Sequence, residues 1–198
     1  MRKNVLILLF ILLVTSVSFS QSSSLGEAKG VLLTSGVGPR FPIGKFADQQ
    51  AIGVGFDVIL SYTDNITFPF FLFAKVGYQN YPGEFKFYRT TDHSNIAGNL
   101  VSFSVGARHY FTPIIEDIVL LMPVLEAGAT VAYLSKLHQY KIDSGRIDMT
   151  ENLTKFGFHF GGGFTLFLMD IMANYNYLPN HQFISFDVRV TIPIAVSL

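Results

Sequence analysis

The stretch Ile184-Ser185-Phe186-Asp187-Val188-Arg189-Val190-Thr191-Ile192-Pro193-Ile194-Ala195-Val196-Ser197-Leu198 alternates without a break. Ile, Phe, Val and Leu hold the even positions; Ser, Asp, Arg, Thr, Pro and Ala hold the odd ones. A period of two belongs to a strand whose two faces meet different surroundings. As a strand the stretch spans roughly 50 Å, against about 17–20 Å for a typical strand of a globular sheet. Such a length suits a span across a thick apolar layer.

The same period recurs upstream. In 155–168, Phe156, Phe158, Phe160, Phe164, Leu166 and Leu168 oppose Lys155, Gly157, His159, Gly161, Gly163 and Thr165. In 100–111, Val101, Phe103, Val105, Ala107, His109 and Phe111 oppose Ser102, Ser104, Gly106, Arg108 and Tyr110. In 52–62, Ile52, Val54, Phe56, Val58, Leu60 and Tyr62 oppose Gly53, Gly55, Asp57 and Ser61. Weaker versions run through 30–41, 68–79, 119–134 and 170–177, which predicts about eight strands.

The face opposite the apolar one decides the class. In a soluble sandwich that face meets water and is rich in Lys, Glu and Thr. Here it is Gly, Ser and Ala, with sparse charges of both signs: Asp57, Lys75, Arg108, Glu126, Asp187 and Arg189, together with His159. Small residues and mixed charges suit a narrow enclosed lumen, and large apolar residues suit lipid. Alternation of this kind in segments of about ten residues is the signature of a transmembrane antiparallel up-and-down β-barrel. Unpaired ions in so narrow an interior are costly. The acids Asp57, Glu126 and Asp187 are therefore expected to pair with Lys75, Arg108 and Arg189. That network is a static packing device on the simpler view and a gated polar pathway on the other.

Composition agrees. Only 14% of the 198 residues are charged, against roughly 25% in an average soluble domain, and there are 20 Phe and 9 Tyr but no Trp. With no Cys, thiolate chemistry and cysteine metal sites are excluded, as is a lipid-anchored cysteine. Fourteen basic residues balance fourteen acidic ones, so no basic footprint for nucleic acid exists. Arg2 and Lys3 precede the apolar run 5–14, with Ser18 and Ser20 at the −3 and −1 positions of a cleavage site. This reads as a signal peptide over 1–20, then a short linker over 21–29 and a barrel domain over 30–198. Connections alternate in length: long over 41–50, short at 63–67, long over 81–97, short at 112–117, long over 135–153, very short around Met169-Asp170 and middling over 178–182. Short turns alternating with long loops are the habit of outer-membrane barrels. Both chain ends then fall on the short-turn side, and a final strand that closes the chain leaves no room for a further domain. Tyr62, Phe68, Tyr78, Tyr81, Phe111, Tyr133, Phe156, Tyr175 and Tyr177 are expected near strand ends as interfacial girdles. Pro69, Pro123 and Pro193 sit inside predicted strands and call for bulges or strand ends.

At this point the chain resembles the small outer-membrane β-barrel family, the OmpA/OmpX-like porin-family proteins, over residues 30–198. The resemblance rests on the segment 36–44 (GVGPRFPIG), on Gly53-Val54-Gly55-Phe56-Asp57, on Gly106-Ala107-Arg108-His109-Tyr110-Phe111 and on the alternating last strand. Where the family's terminal assembly signal has glycine, Pro193 stands, and Leu198 replaces the usual phenylalanine. The resemblance implies a Gram-negative outer-membrane location, contact with lipid and lipopolysaccharide, insertion by the barrel-assembly machinery, and a monomer. It implies a non-enzymatic structural or interaction role (membrane integrity, loop-mediated adhesion) or narrow passage of small solutes. Loops 81–97 and 135–153 would carry whatever specificity exists.

Two other classes stay open at this point. One is a lipid-modifying enzyme of the outer leaflet, for which Asp92-His93-Ser94 supplies the right residue types, although side chains of consecutive residues point apart. The other is a soluble exported barrel holding an apolar ligand, in which the large residues face inward. His93, His138 and His181 fall one each in three predicted outer loops and are the residue type that binds zinc, but no tight two-ligand spacing supports a site. Gly161-Gly162-Gly163 is no phosphate loop, since no helix and no Lys-Ser/Thr pair follows; glycines within a strand mark a bulge or a close backbone approach. No cofactor motif is present.

Overall fold

The computed structural model of the chain describes residues 29–64, 70–114 and 121–197. The expected signal peptide, linker residues 21–28 and Pro69 lie outside the described residues. Eight strands follow one another: β1 (Lys29–Ile43), β2 (Gly53–Asp64), β3 (Phe71–Tyr81), β4 (His93–Tyr110), β5 (Leu121–Tyr140), β6 (Met149–Leu166), β7 (Met169–Tyr177) and β8 (Gln182–Ser197). Each pairs antiparallel with the next, and β8 pairs back onto β1, so the sheet closes into a barrel. Closure leaves no edge strand within the ring, the condition for a sheet to stand in lipid, while the outer ends of β4 and β6 run on beyond β3 and β7.

Residue parity then separates outside from inside. Along β2, Gly53, Gly55, Asp57, Ile59 and Ser61 are buried while Val54, Phe56, Val58, Leu60 and Tyr62 are exposed. On β6 the outward set is Phe156, Phe158, Phe160 and Phe164, and on β8 it is Phe186, Val188, Val190, Ile192 and Ile194. A belt of exposed Phe, Val, Leu and Ile encircles the barrel. Its large residues face outward and its lumen is filled, which overturns the soluble apolar-ligand barrel: the apolar face is the surface. At about 25 cal/mol per Å2 of apolar area left in water, a belt this size is untenable outside a bilayer. The chain is a membrane-spanning barrel. Among the described residues no helix is long and apolar enough to cross a membrane.

The belt ends where the outward residues turn polar. Tyr78 Oη and Asn80 Nδ2 both donate to Asn99 Oδ1 at 2.8 Å on the outer wall, and Tyr133 faces outward beside Thr154. Tyr78, Tyr133, Phe156 and Tyr175 face outward toward this end, and Tyr62 and Phe111 toward the short-turn end. Tyr81 does not: parity turns it into the lumen, fully buried, where its hydroxyl donates to Gln79 Oε1 at 2.6 Å. Phe68 lies outside the described residues.

Above the belt, β4, β5 and β6 continue as strands. The expected long loops 81–97 and 135–153 are consequently shorter, because His93–Asn99, Ser135–Tyr140 and 149–154 stay in the ladder. Outside lipid both faces are polar, so the period of two that marks a spanning strand is lost there. The β3–β4 connection carries a short helix, α1 (Phe85–Thr90), and Lys141 Nζ donates to the carbonyls of Tyr88 at 3.0 Å and Thr91 at 2.8 Å, clamping it to the β5–β6 loop. The turn expected at Met169-Asp170 lies instead at Phe167-Leu168, with Phe167 at φ 58°. Asp170 thereby belongs to β7 and points inward.

Pro193 sits where the β1–β8 register shifts between Val31 and Leu32, a bulge that absorbs its missing N–H. Pro123 lies near the start of β5, and its carbonyl accepts from Phe111 N–H at 2.9 Å. The glycine run of β6 marks close approach and no bulge: the ladders on both sides run through it unbroken, and a Cβ on Gly163 would strike the Ile171 carbonyl.

Candidate functional site: the sealed lumen and the outer rim

All seven residues assigned to the interior by parity are buried inside the barrel. Two more that the sequence reading did not single out join them, Arg40 and Asp170. In space they form one chain of alternating charge down the lumen. Arg40 Nη2 meets Asp57 Oδ2 at 2.7 Å and Arg40 Nη1 meets Asp187 Oδ1 at 2.6 Å. Asp187 Oδ2 faces Arg189 Nη2 at 3.5 Å. Arg189 holds Glu126 with two bonds, 2.8 and 3.0 Å. Glu126 also accepts from Arg108 at 2.8 and 3.1 Å, and Arg108 reaches Asp170 at 3.4 Å. Lys75 Nζ stands 3.7 Å from Glu126, and His159 Nδ1 hydrogen-bonds Thr130 Oγ1 at 3.1 Å while its Nε2 lies 4.0 Å from Glu126. Four cations (Arg40, Lys75, Arg108, Arg189) thus face four anions (Asp57, Glu126, Asp170, Asp187).

All eight strands contribute from their inner faces: β1 gives Arg40, β2 Asp57, β3 Lys75, β4 Arg108, β5 Glu126, β6 His159, β7 Asp170, and β8 both Asp187 and Arg189. The signal for Arg40 was present as the parity of Gly36, Gly38 and Arg40, masked by Pro39 and Pro42. The signal for Asp170 was hidden by the misplaced turn.

Toward the loops the lumen is closed a second time, by apolar packing. The turn Gly44–Phe46 folds inward and sets Phe46 against Tyr81 (ring centroids 4.8 Å), His181 (5.1 Å) and a cluster with Leu100, Leu134, Leu178 and Phe183. Between this plug and the ionic chain remains a cavity of about 10 Å3, lined by Arg40, Lys75, Gln79, Ser102 and Ser185 among others. That is about the space of one water. Burial pushes the His181 ring down to about 4, and the Lys136 charge pushes the same way. Its folded value lies below the ordinary 6.5, so the fold favours the neutral ring. This contribution is complete above pH 6.5 and is lost as pH falls from there toward 4, where the unfolded chain takes the proton first. A urea midpoint that declines over this window in the native chain, and declines less in His181→Phe, is the expected result.

At the outer rim the three loop histidines part company. His93 opens β4 and His138 lies in β5, with their rings 5.5 Å apart, whereas His181 is buried under Phe46. Ser94 donates to the Tyr140 carbonyl at 3.2 Å, and Asp92 faces Arg146 at 3.9 Å, so Asp92, His93 and Ser94 do not assemble as a triad. Among the described residues no group of three or more His, Asp or Glu converges as a closed metal site.

The fold and the sealed lumen define a class: an eight-stranded, membrane-spanning, closed up-and-down β-barrel. Among solved structures the chain is similar to neisserial surface protein A (NspA), at 16% identity and TM-score 0.51, over 84% of this chain and 99% of that one. It also matches the N-terminal β-barrel domain of Pseudomonas aeruginosa OprF, at 14% identity and TM-score 0.47, over 83% and 99% of the two chains. The attachment invasion locus protein Ail of Yersinia pestis matches at 15% identity and TM-score 0.44, over 85% and 100%. No family model and no curated protein matches the sequence.

Proposed function

We propose that the protein resides in the outer membrane of a Gram-negative bacterium and acts there as a non-conducting barrel. Its outer wall holds lipid and lipopolysaccharide, and its rim of external strands and loops meets partners. The observation that carries this reading is the double closure of the lumen, an apolar plug above an ion-paired chain with about 10 Å3 between them. Insertion by the barrel-assembly machinery is part of the same proposal, and the role is structural or adhesive, with no chemical step.

Planar-bilayer recording tests it. The purified protein, whose closed barrel is first checked by a mobility shift between unboiled and boiled gel samples, is expected to give no stepwise conductance in 1 M salt at about 100 mV, the scale of a membrane potential. Steady steps that persist in the native chain overturn the sealed reading in favour of narrow solute passage.

A further inference from the structure

The histidine pair at the outer rim has a proton count that does not close. Four groups stand in a row: Thr91 Oγ1, the His93 ring, the His138 ring and the Glu151 carboxylate. Thr91 Oγ1 is 3.3 Å from His93 Nδ1, His93 Nε2 is 3.3 Å from His138 Nδ1, and His138 Nε2 is 3.4 Å from Glu151 Oε2. The Thr91 hydroxyl proton is committed elsewhere, donated to the Phe87 carbonyl at 2.8 Å. Thr91 therefore presents a lone pair to His93, and Glu151 presents lone pairs to His138. Three gaps must each hold a proton or a cation, yet two neutral imidazoles bring two N–H groups.

The end gaps claim those protons. Thr91 as acceptor makes His93 the Nδ1–H tautomer, and the carboxylate makes His138 the Nε2–H tautomer. What remains is two bare ring nitrogens, His93 Nε2 and His138 Nδ1, facing each other 3.3 Å apart. That separation is the ligand-to-ligand edge of a tetrahedral zinc site, which for Zn–N of about 2.0–2.1 Å is about 3.3 Å. The outer partners match what metal-bound histidines have: each ligand's other nitrogen donates to a hydroxyl or carboxylate, which fixes the tautomer and the ring. Packing adds to the orientation, with His93 held between Tyr140 (4.6 Å) and Phe87 (5.1 Å).

We infer that His93 Nε2 and His138 Nδ1 form a two-histidine site for a borderline divalent cation such as Zn2+ at the external rim, with Thr91 and Glu151 as positioning residues. Imidazole nitrogens select Zn2+, Cu2+ or Ni2+ over Ca2+ and Mg2+. Two protein ligands leave two positions of the tetrahedron to water or to a donor from outside. The site is on the surface: the His138 and Glu151 side chains are 16% and 41% exposed. It is independent of whether the lumen conducts.

The test is a Zn2+ titration of the purified full chain, folded in detergent at pH 7.5, followed by calorimetry. One equivalent is expected to bind. His93→Asn and His138→Asn are each expected to weaken it by at least about tenfold, and Thr91→Val by several-fold, as loss of an orienting partner does. His181→Asn, remote from the pair, keeps the native affinity. Should a variant fail the gel-shift check for folding, nitrogen-15 spectra of the native chain decide. Added Zn2+ is then expected to shift two histidine ring nitrogens, one Nε2 and one Nδ1, and to leave His159 and His181 in place. No saturable binding, binding that survives both histidine substitutions, or spectra showing an imidazolium at pH 7.5 that Zn2+ does not displace overturns the assignment. In that last outcome a third proton, and not a metal, fills the central gap.

Discussion

Glu126→Gln is expected to be the most destabilising single substitution in the lumen, by about 3–5 kcal/mol, the cost of breaking a buried ion pair by removing one partner. The carboxylate is fully buried and accepts four hydrogen bonds from two guanidinium groups, Arg108 and Arg189, with Lys75 Nζ at 3.7 Å. Glutamine keeps the shape and one oxygen but turns two N–H donors toward cations that are already donors. Three positive groups then share one carboxylate fewer in a fully buried space. Asp170→Asn is expected to cost clearly less. Arg108 loses a contact of 3.4 Å there and retains Glu126, and Thr165 Oγ1, now 2.8 Å from Asp170, keeps an amide oxygen as acceptor. Urea unfolding from detergent or vesicles measures both, the change being read as a shift of midpoint at constant slope. A Glu126→Gln midpoint within about 1 kcal/mol of the native chain, inside the usual range for a hydrogen bond between neutral groups, excludes the hub role.

The alternation of charge explains why such a hub exists. A barrel of eight strands has a lumen just wide enough for side chains, and this one fills it with long polar residues opposed by glycines. Gly36 lies against the Arg189 stem, Gly55 against the Arg40 guanidinium and Gly77 against Asp57. A Cβ at any of them would displace the charged group it faces. Ionic pairing here is a way of filling a tube without leaving an uncompensated charge, and it seals the tube in the same act.

Much of this is legible in the sequence. Where lipid lies on one side and a filled lumen on the other, the chain must alternate, so strands such as β2 and β8 and the inward placing of Asp57, Arg108 and Arg189 follow from parity. Legibility fails wherever that contrast fails. Above the belt, Asn95, Asn99, Thr150 and Asn152 have polar surroundings, so the extension of β4, β5 and β6 left no pattern. Phe46 reads as an ordinary loop aromatic, since only the folded ring reveals a mouth to plug. Phe167 in a left-handed turn carries none of the glycine or asparagine that announces one, and the shifted turn concealed Asp170. His93 and His138 stand out in the sequence as loop histidines, but not as a pair, because they are 45 positions apart and meet only through the β4–β5 register.

The outer wall makes the opposite demand, and Phe160→Arg shows it. Phe160 lies at the middle of the outward run from Phe156 to Phe164 on β6, between Ala127 of β5 and Tyr175 of β7, and is 55% exposed. In the belt's centre an arginine has no lumenal carboxylate to meet, since parity turns it away from Glu126, and the water-filled interfaces are at their farthest. The expected cost is about 2–4 kcal/mol, falling to about 0–1 kcal/mol for the same substitution near an interface, as at Phe167 in the short-turn rim. Reversible folding into lipid vesicles measures both variants against the native chain. The depth dependence is the discriminating result. A soluble protein would tolerate arginine equally at both exposed positions, and would gain solubility from each. A membrane-spanning barrel must reject one and accept the other. Equal, small costs at 160 and 167 would mean that the belt does not face hydrocarbon, and the membrane reading would fall with it.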